Sequence, residues 1–364
     1  MFARKYSVFQ IGDIAVLRQV TRPDKVWLSK PLKPGSSQGV KSGSISHDDI
    51  IGTRSRCQVF ETSKGQFKFM CYKPSLEEYV NLTKRDAQPI YPFNAATIVQ
   101  LADLNVDYPE LEKKQNGEYC LKDEPLQFLE CGTGHGSLTL AIAKAIHSGN
   151  CYKNLNGLGS SQLLGAILHS IDRNPNHLAT GQKNLKNYQR AMYENDVQFH
   201  LADSPSQWLQ SPSTKQWIKN SSNNNDPVYD HPSSFLSGIF LDMPDPETQF
   251  KDLSLHLKVD HALIIFCPSV TQILNAVQTV YYDRSIKLAF SRCVEFEPCT
   301  SGGSLREWDV RVSGIRNTNK EGAVCRPRVG TKVSGGGFAG VFKKLPVTAR
   351  LEPTGTSLNQ PVNL

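Results

Sequence analysis

Between residues 126 and 280, apolar runs of strand length alternate with stretches of helical period, and four of the runs end on an acid: Glu130, Asp172, Asp203 and Asp242. No other feature limits the fold as much. A strand, a helix and a second strand make a parallel crossover unit. Repeating the unit gives a doubly wound α/β sheet with helices on both faces. The strand runs are 126–129, 164–171, 197–201, 238–241 and 262–267, and the spacing predicts helices over 137–147, 175–190 and 270–278. Ligands of such sheets bind at the carboxyl ends of the strands, where the strand order reverses. A single acid there can be a helix cap. Four along one sheet edge point to a polar ligand.

The first turn reads Glu130-Cys131-Gly132-Thr133-Gly134-His135-Gly136-Ser137. Its glycines let the backbone approach a ligand closely, and its N–H groups stand ahead of a helix. It lacks the Gly-Lys-Ser/Thr of a phosphate-binding P-loop. Asp172 suits the hydroxyls of a ribose, and Asp203 the amino group of an adenine. An adenosine with little phosphate chemistry favours S-adenosylmethionine over a nicotinamide dinucleotide. Asp242 lies in Leu241-Asp242-Met243-Pro244-Asp245-Pro246, where two prolines fix the chain. An acid on a rigid loop beside the cofactor can accept a hydrogen bond from an exocyclic amine.

Residues 1–73 read as a small strand-rich unit, with short strands within 7–19, a loop over 31–46 and a hairpin joining 58–62 to 66–70. Beyond Pro74, helices are predicted over 76–84 and 94–104, the second with Asn94 as its N-cap. Polar insertions fall at 107–125, 149–162, 211–234 and 314–335. The third, rich in Asn and Ser, reads as a loop or disordered segment. Strands are expected over 286–295, 306–313 and 337–342, and a tail over 345–364. The domain containing the parallel sheet would run over 74–344.

The net charge is +7, from 41 Lys+Arg against 34 Asp+Glu, which suits a nucleic-acid partner. Nine cysteines, an odd number with no Cys-x-x-Cys spacing, argue against a disulfide framework and a zinc ribbon. No run is long and apolar enough to span a membrane. Arg4 and Lys5 precede the first acid, Asp13, with no apolar h-region behind them. That is no secretory signal, and it permits a short mitochondrial presequence. No histidine spacing suggests a metal; His47-Asp48-Asp49 reads as a hydrogen-bonded turn.

The Glu130–Ser137 turn resembles the cofactor turn of the tRNA (adenine-58, N1)-methyltransferases. Other segments resemble that family in the same order. They are Ser46-His47-Asp48-Asp49-Ile50-Ile51-Gly52, Lys73-Pro74-Ser75-Leu76-Glu77-Glu78-Tyr79, and Lys84-Arg85 followed by Gln88 and Ile90-Tyr91-Pro92. The 241–246 loop, Pro268-Ser269-Val270-Thr271-Gln272 and Arg306-Glu307-Trp308-Asp309-Val310 complete the set. The resemblance implies a class I methyltransferase, Rossmann-like, with a small N-terminal β-domain. It implies methyl transfer from S-adenosylmethionine to N1 of an adenine in the tRNA T-loop. Glu130, Gly132, Gly134, His135, Gly136 and Ser137 would hold the cofactor with Gln88, Ile90, Tyr91, Asp172, His177 and Asp203. Asp242 would be the catalytic residue and also face the cofactor. The assembly would be a homotetramer, or a heterotetramer with a non-catalytic paralogous subunit. The expected location is the mitochondrial matrix, with the nucleus as the alternative.

Several positions depart from the family's pattern: His135 stands for Ser, Phe93-Asn94 for Lys-Asp, Glu247 for an aromatic, His177 for an Arg, and Gly335-Gly336-Gly337-Phe338 for a His-Thr-Gly-aromatic segment. They bear on substrate choice more than on cofactor binding. They leave open an RNA-binding or ribosome-assembly role without catalysis, and an adenine-N1 methyltransferase acting on mitochondrial rRNA.

Overall fold

A computed structural model describes residues 8–41, 43–151, 163–221, 227–298, 308–314, 321–327 and 336–349. The N-terminal part carries β1 (Val16–Gln19), β2 (Val26–Leu28), β3 (Ser37–Val40), β4 (Gly43–Ser46), β5 (Val59–Glu61) and β6 (Lys68–Tyr72). Four of these form an antiparallel sheet in the order β2-β1-β6-β5, and β3 pairs with β4 as a separate hairpin. Phe9, Leu17, Ile45, Phe60 and Phe69 close its core. Within 7–19, β1 is the one strand among the described residues, and Val8 adds an isolated bridge to Arg54. The 31–46 loop folds in part as the β3–β4 hairpin.

Two helices follow, α1 (Leu76–Leu82) and α2 (Pro92–Ala102). Ser75 and Glu78 form a capping box on α1, which satisfies two of its free N–H groups. Asn94 does not cap α2. The helix starts two residues earlier, because Pro92 at its first position needs no hydrogen-bond partner. The 107–125 insertion makes a small hairpin, β7 (Leu111–Lys113) with β8 (Tyr119–Leu121).

The alternating region then runs β9 (Leu126–Cys131), α3 (Ser137–Ile146), β10 (Ala166–Asp172), α4 (Pro175–Asn187), β11 (Val197–Leu201), α5 (Pro205–Leu209), α6 (Pro212–Ser221), β12 (Leu236–Leu241), α7 (Phe250–His256), β13 (Ala262–Cys267) and α8 (Val270–Tyr282). After it come β14 (Leu288–Phe296), β15 (Trp308–Gly314), β16 (Glu321–Pro327) and β17 (Gly337–Lys344). The main sheet has seven strands in the order β11-β10-β9-β12-β13-β17-β14. The pairs from β11 to β13 are parallel, and β17 lies antiparallel to both neighbours. From β9 the chain crosses first to β10 on one side and later to β12 on the other, so strand order reverses at β9. Side chains alternate between two cores. Phe240 joins the core that includes Ile98, Ile142 and Leu185, while Ile239 and Leu241 join the one holding Phe250, Leu253 and Ile273.

The 211–234 segment is not the loop expected from its composition. Its first part is helix α6, whose start is held by Ser211 Oγ accepting from Thr214 N at 3.2 Å. Trp217 and Ile218, two apolar residues in a polar stretch, pack against the second core. In the 314–335 insertion, β16 is the second arm of a hairpin with β15. Residues 152–162, Arg306, Glu307, Gly335, residues 350–364 and the Arg4-Lys5 segment lie outside the described residues.

The two sheets meet at Asp13, which is 2% exposed. Its carboxylate accepts from Lys73 Nζ and from Gln10 N, at 2.8 and 2.7 Å. Arg190 Nε lies 3.5 Å away. Gln189, Arg190 and Ala191 all have positive φ. Tyr79 OH donates to Asn184 O of α4 at 2.8 Å, which joins α1 to the same helix.

Candidate active site

Strand ends at the reversal bring the predicted residues together. Gly132 N donates to Ile171 O at 2.8 Å, and Asp242 N donates to Cys131 O at 2.8 Å. The Gly-rich turn therefore sits between the ends of β10 and β12. Gly132 has φ +100°, and a Cβ built there would lie 2.1 Å from Asp242 O. Only glycine lets the turn and the Asp242 loop touch backbone to backbone. Gly136 makes a second close approach, since a Cβ there would stand 3.0 Å from Gly181 Cα on α4.

Asp172 is buried. Its Oδ2 accepts from Gly134 N at 2.9 Å and its Oδ1 from Asn174 N at 2.8 Å. Each oxygen keeps a lone pair for a ligand hydroxyl. Asp242 is half-buried, and burial first, then the nearby Asp172 charge, pushes its carboxyl up to about 7. Asp203 is exposed at the edge of the sheet, where its N–H donates to Gln207 Oε1 at 2.6 Å. His177 is part-exposed, with Nδ1 3.9 Å from Asp172 Oδ2, a marginal ion pair.

Glu130 is corrected from a residue expected to touch the cofactor. It has no accessible surface, and its Oε2 accepts from Thr139 Oγ1 and Ser170 Oγ at 2.7 and 2.6 Å. It braces the turn from within the sheet. Burial pushes its carboxyl up to about 8, so it is protonated at neutral pH.

The segment before α2 passes over the turn. Ser137 Oγ donates to Ile90 O, and a Cβ on Gly134 would lie 4.0 Å from Ala87 Cβ. Ile90 and Tyr91 are buried, while Gln88 is exposed and donates through Nε2 to Tyr91 OH at 3.2 Å. His135 is 2% exposed, and its backbone O accepts from Asn184 Nδ2 at 2.9 Å. Burial, then the Arg85 charge, lowers the ring's proton affinity, so it is neutral at neutral pH.

Buried polar side-chain atoms are nearly always paired. Around this turn several are not: both ring nitrogens of His135, Nε and Nη2 of Arg85, and Oδ1 of Asn94. Such a concentration marks the place of a polar ligand. Sequence reasoning quoted Arg85 within a family segment and gave it no role, because an arginine between helices reads as a solvated surface group. It missed Gly181 and Asn184, whose contacts with the turn are visible only in three dimensions. A glycine inside a helical pattern, as at 181, was the available signal. Among the described residues no cluster of acids, histidines or cysteines could hold a metal ion, and no helix is long and apolar enough to cross a membrane.

No family model matches the chain. Two curated proteins, each the tRNA (adenine(58)-N(1))-methyltransferase TrmI of a different Thermus thermophilus strain, are 25% identical over 291 residues, 80% of this chain and 86% of theirs. Two solved structures match over nearly the whole chain. A SAM-dependent O-methyltransferase from Thermotoga maritima superposes with TM-score 0.58 at 15% identity, covering 97% of this chain and 99% of its own. The tRNA (m1A58) methyltransferase TrmI from Aquifex aeolicus does so with TM-score 0.53 at 18% identity, covering 93% and 99%. The chain has the class I methyltransferase fold, and the curated proteins it matches in sequence carry the name of the family its motifs resemble.

Proposed function

We propose that the chain transfers the methyl group of S-adenosylmethionine to N1 of an adenine in tRNA, at T-loop position 58. The observation that carries this reading is the placement of Asp242, on a proline-fixed loop in backbone contact with the glycine turn. The residues present fit the cofactor. The glycine turn is held against the Asp242 loop by backbone contact, Asp172 offers acceptors for a ribose, and the unpaired buried atoms need polar partners. Asp203 would meet the adenine at the edge of the sheet, and His177 would stand beside the ribose acid.

When bound, the cofactor supplies an electrophilic methyl group on a positively charged sulfur. Adenine N1 has its own lone pair, so it would need no base before taking that methyl group, and the chain's part is to position it. Asp242 accepts from the adenine amino group. It thereby orients N1 and stabilises the positive charge that the methylated ring acquires. The target adenine must leave its stacked position to reach this edge. The chain's net charge of +7 favours the phosphates around it. The assembly in this reading is a homotetramer, or a heterotetramer with a paralogous subunit, which the mass in solution distinguishes.

The test is methyl transfer by the purified chain from labelled S-adenosylmethionine to unmodified tRNA, with product nucleosides separated. N1-methyladenosine that disappears in Asp242→Ala is the expected result. Failure to bind S-adenosylmethionine at all would overturn the reading and favour RNA binding without catalysis. Binding without transfer would call for a partner subunit or another RNA.

A further inference from the structure

We propose that the N-terminal sheet, and not the acid edge of the main sheet, grips the RNA: Lys30, Lys33, Lys41 and Lys64, around the β3–β4 hairpin, take its phosphates. The inference rests on the tRNA reading above and adds which surface holds the RNA.

The chain's positive charge is not spread evenly along it. Residues 1–73 hold 13 Lys+Arg against 5 Asp+Glu, while residues 74–300, with the whole parallel sheet, hold 18 against 25. The stretch from 301 to 364 holds 10 against 4. There, however, Arg326 pairs with Asp309, Lys343 Nζ donates to Asp260 O, and Lys344 is buried. The carboxyl edge, with Asp172, Asp203, Asp245 and Glu247, adds no attraction for a phosphate backbone.

Within the N-terminal unit some cations are paired and others are not. Lys25, Lys68 and Lys73 lie 3.5, 3.2 and 2.8 Å from Asp24, Glu61 and Asp13. Lys30, Lys33, Lys41 and Lys64 are exposed, and none forms an ion pair among the described residues. The nearby Asp48 carboxylate accepts from Gly35 N at 3.0 Å instead.

The backbones that carry these four lysines are fixed. Lys30 N donates to Gln38 Oε1 on β3 and Lys33 N to His47 Nδ1, each at 3.0 Å. At the far end of the hairpin, Ser63 N donates to Ser44 O at 2.9 Å. That bond seats the β5–β6 turn, which carries Lys64, against the hairpin tip, which carries Lys41. Gly43 allows the approach, since a Cβ there would stand 3.0 Å from Thr62 Cβ. The lysines thus form two pairs at the two ends of β3, whose four residues span about 13 Å, enough to cover several phosphates of one strand. Ser37 and Gly39, exposed between the pairs, offer no apolar wedge of the kind a membrane surface takes.

The test measures the full chain's affinity for unmodified tRNA across a salt series, with Lys30→Gln, Lys33→Gln, Lys41→Gln and Lys64→Gln combined. Affinity should fall at least about tenfold, and the slope of log affinity against log salt should shrink by about 3, the share of four phosphate contacts. S-adenosylhomocysteine affinity should stay within about twofold, because that site is distant. Lys→Arg at the same four positions keeps the charge and should keep RNA affinity. Lys113→Gln, Lys114→Gln, Lys144→Gln and Lys215→Gln combined remove the same charge from the main domain and should cost less than about threefold. Equal losses from both sets, or none from the first, would overturn the proposal. If the first set instead abolishes binding to vesicles of anionic lipid and leaves tRNA affinity unchanged, the surface serves a membrane and the proposal fails. If the unaltered chain binds S-adenosylhomocysteine but no tRNA, the tRNA reading itself fails and the grip with it. Thermal melting of each variant shows that it is folded.

Discussion

Asp13 is buried and Asp242 half-buried, and the protein treats the two acids oppositely. Asp13, at the junction of the two sheets, is surrounded by a lysine, an arginine and a backbone N–H. Asp242, at the carboxyl edge of the main sheet, faces two further acids, Glu130 and Asp172. At the junction every charge has an opposite partner, as buried charges must when they serve structure. At the edge burial and the neighbouring acids raise Glu130 and Asp242 toward their neutral forms instead of pairing them, the pattern of a site whose missing charge arrives with its ligand. Pairing, more than burial, separates a residue that holds the fold from one that uses it.

The sharpest way to break this comparison is to remove each acid in turn. Asp242→Ala should lower methyl transfer by about 10²–10³-fold, with S-adenosylhomocysteine still bound, since a group acting on developing charge has that weight. Asp13→Ala should do the reverse, leaving the turnover of the folded protein near normal while destabilising it by about 3 kcal/mol in denaturant unfolding, because Lys73 and Arg190 lose their counter-charge. If Asp13→Ala abolished transfer while stability held, the distinction would collapse.

The next test uses pH. Asp242 rises from 3.8 to about 7 and Glu130 from 4.5 to about 8 in the folded chain. Both are raised carboxyls, so between those values the folded state holds protons that the unfolded state has released. Their contribution to stability is therefore full below about pH 4 and is lost as pH rises toward 8, by about 2–4 kcal/mol for Asp242. Melting of the unliganded protein across this range should show the decline, and Asp242→Asn should remove Asp242's share and leave that of Glu130. The smallest effect belongs to His177→Ala. At 3.9 Å from Asp172 and part-exposed, it should change S-adenosylhomocysteine affinity by less than about threefold.

What could be read in advance follows from how local each signal is. β9, β10 and β12 are apolar runs ended by glycine or an acid and β13 is one ended by proline, so all four stand out in the chain itself. Gly132, Asp172 and Asp242 were legible because they sit at those ends. Helix α6 was not, because two apolar side chains among polar ones decide its packing and its composition hides them. The facing of Glu130 was hidden too. The strand is buried on both sides, so alternation does not tell which side meets the ligand. Arg85 becomes informative only once Tyr91 is seen to occupy one side of its guanidinium.

The Arg190 contacts at the junction have a consequence for the order in which the chain assembles. Arg190 reaches Gln10, 180 residues away. Closing a loop of that length costs about 5 kcal/mol in chain entropy, more than an ion pair at such a junction returns. The latch therefore cannot draw the first-made sheet onto the later one. It closes after the hydrophobic surfaces have docked. During synthesis the N-terminal sheet can meet α1 through Arg18, Tyr72 and Glu78, but the Asp13 junction is complete only once residue 190 has been made.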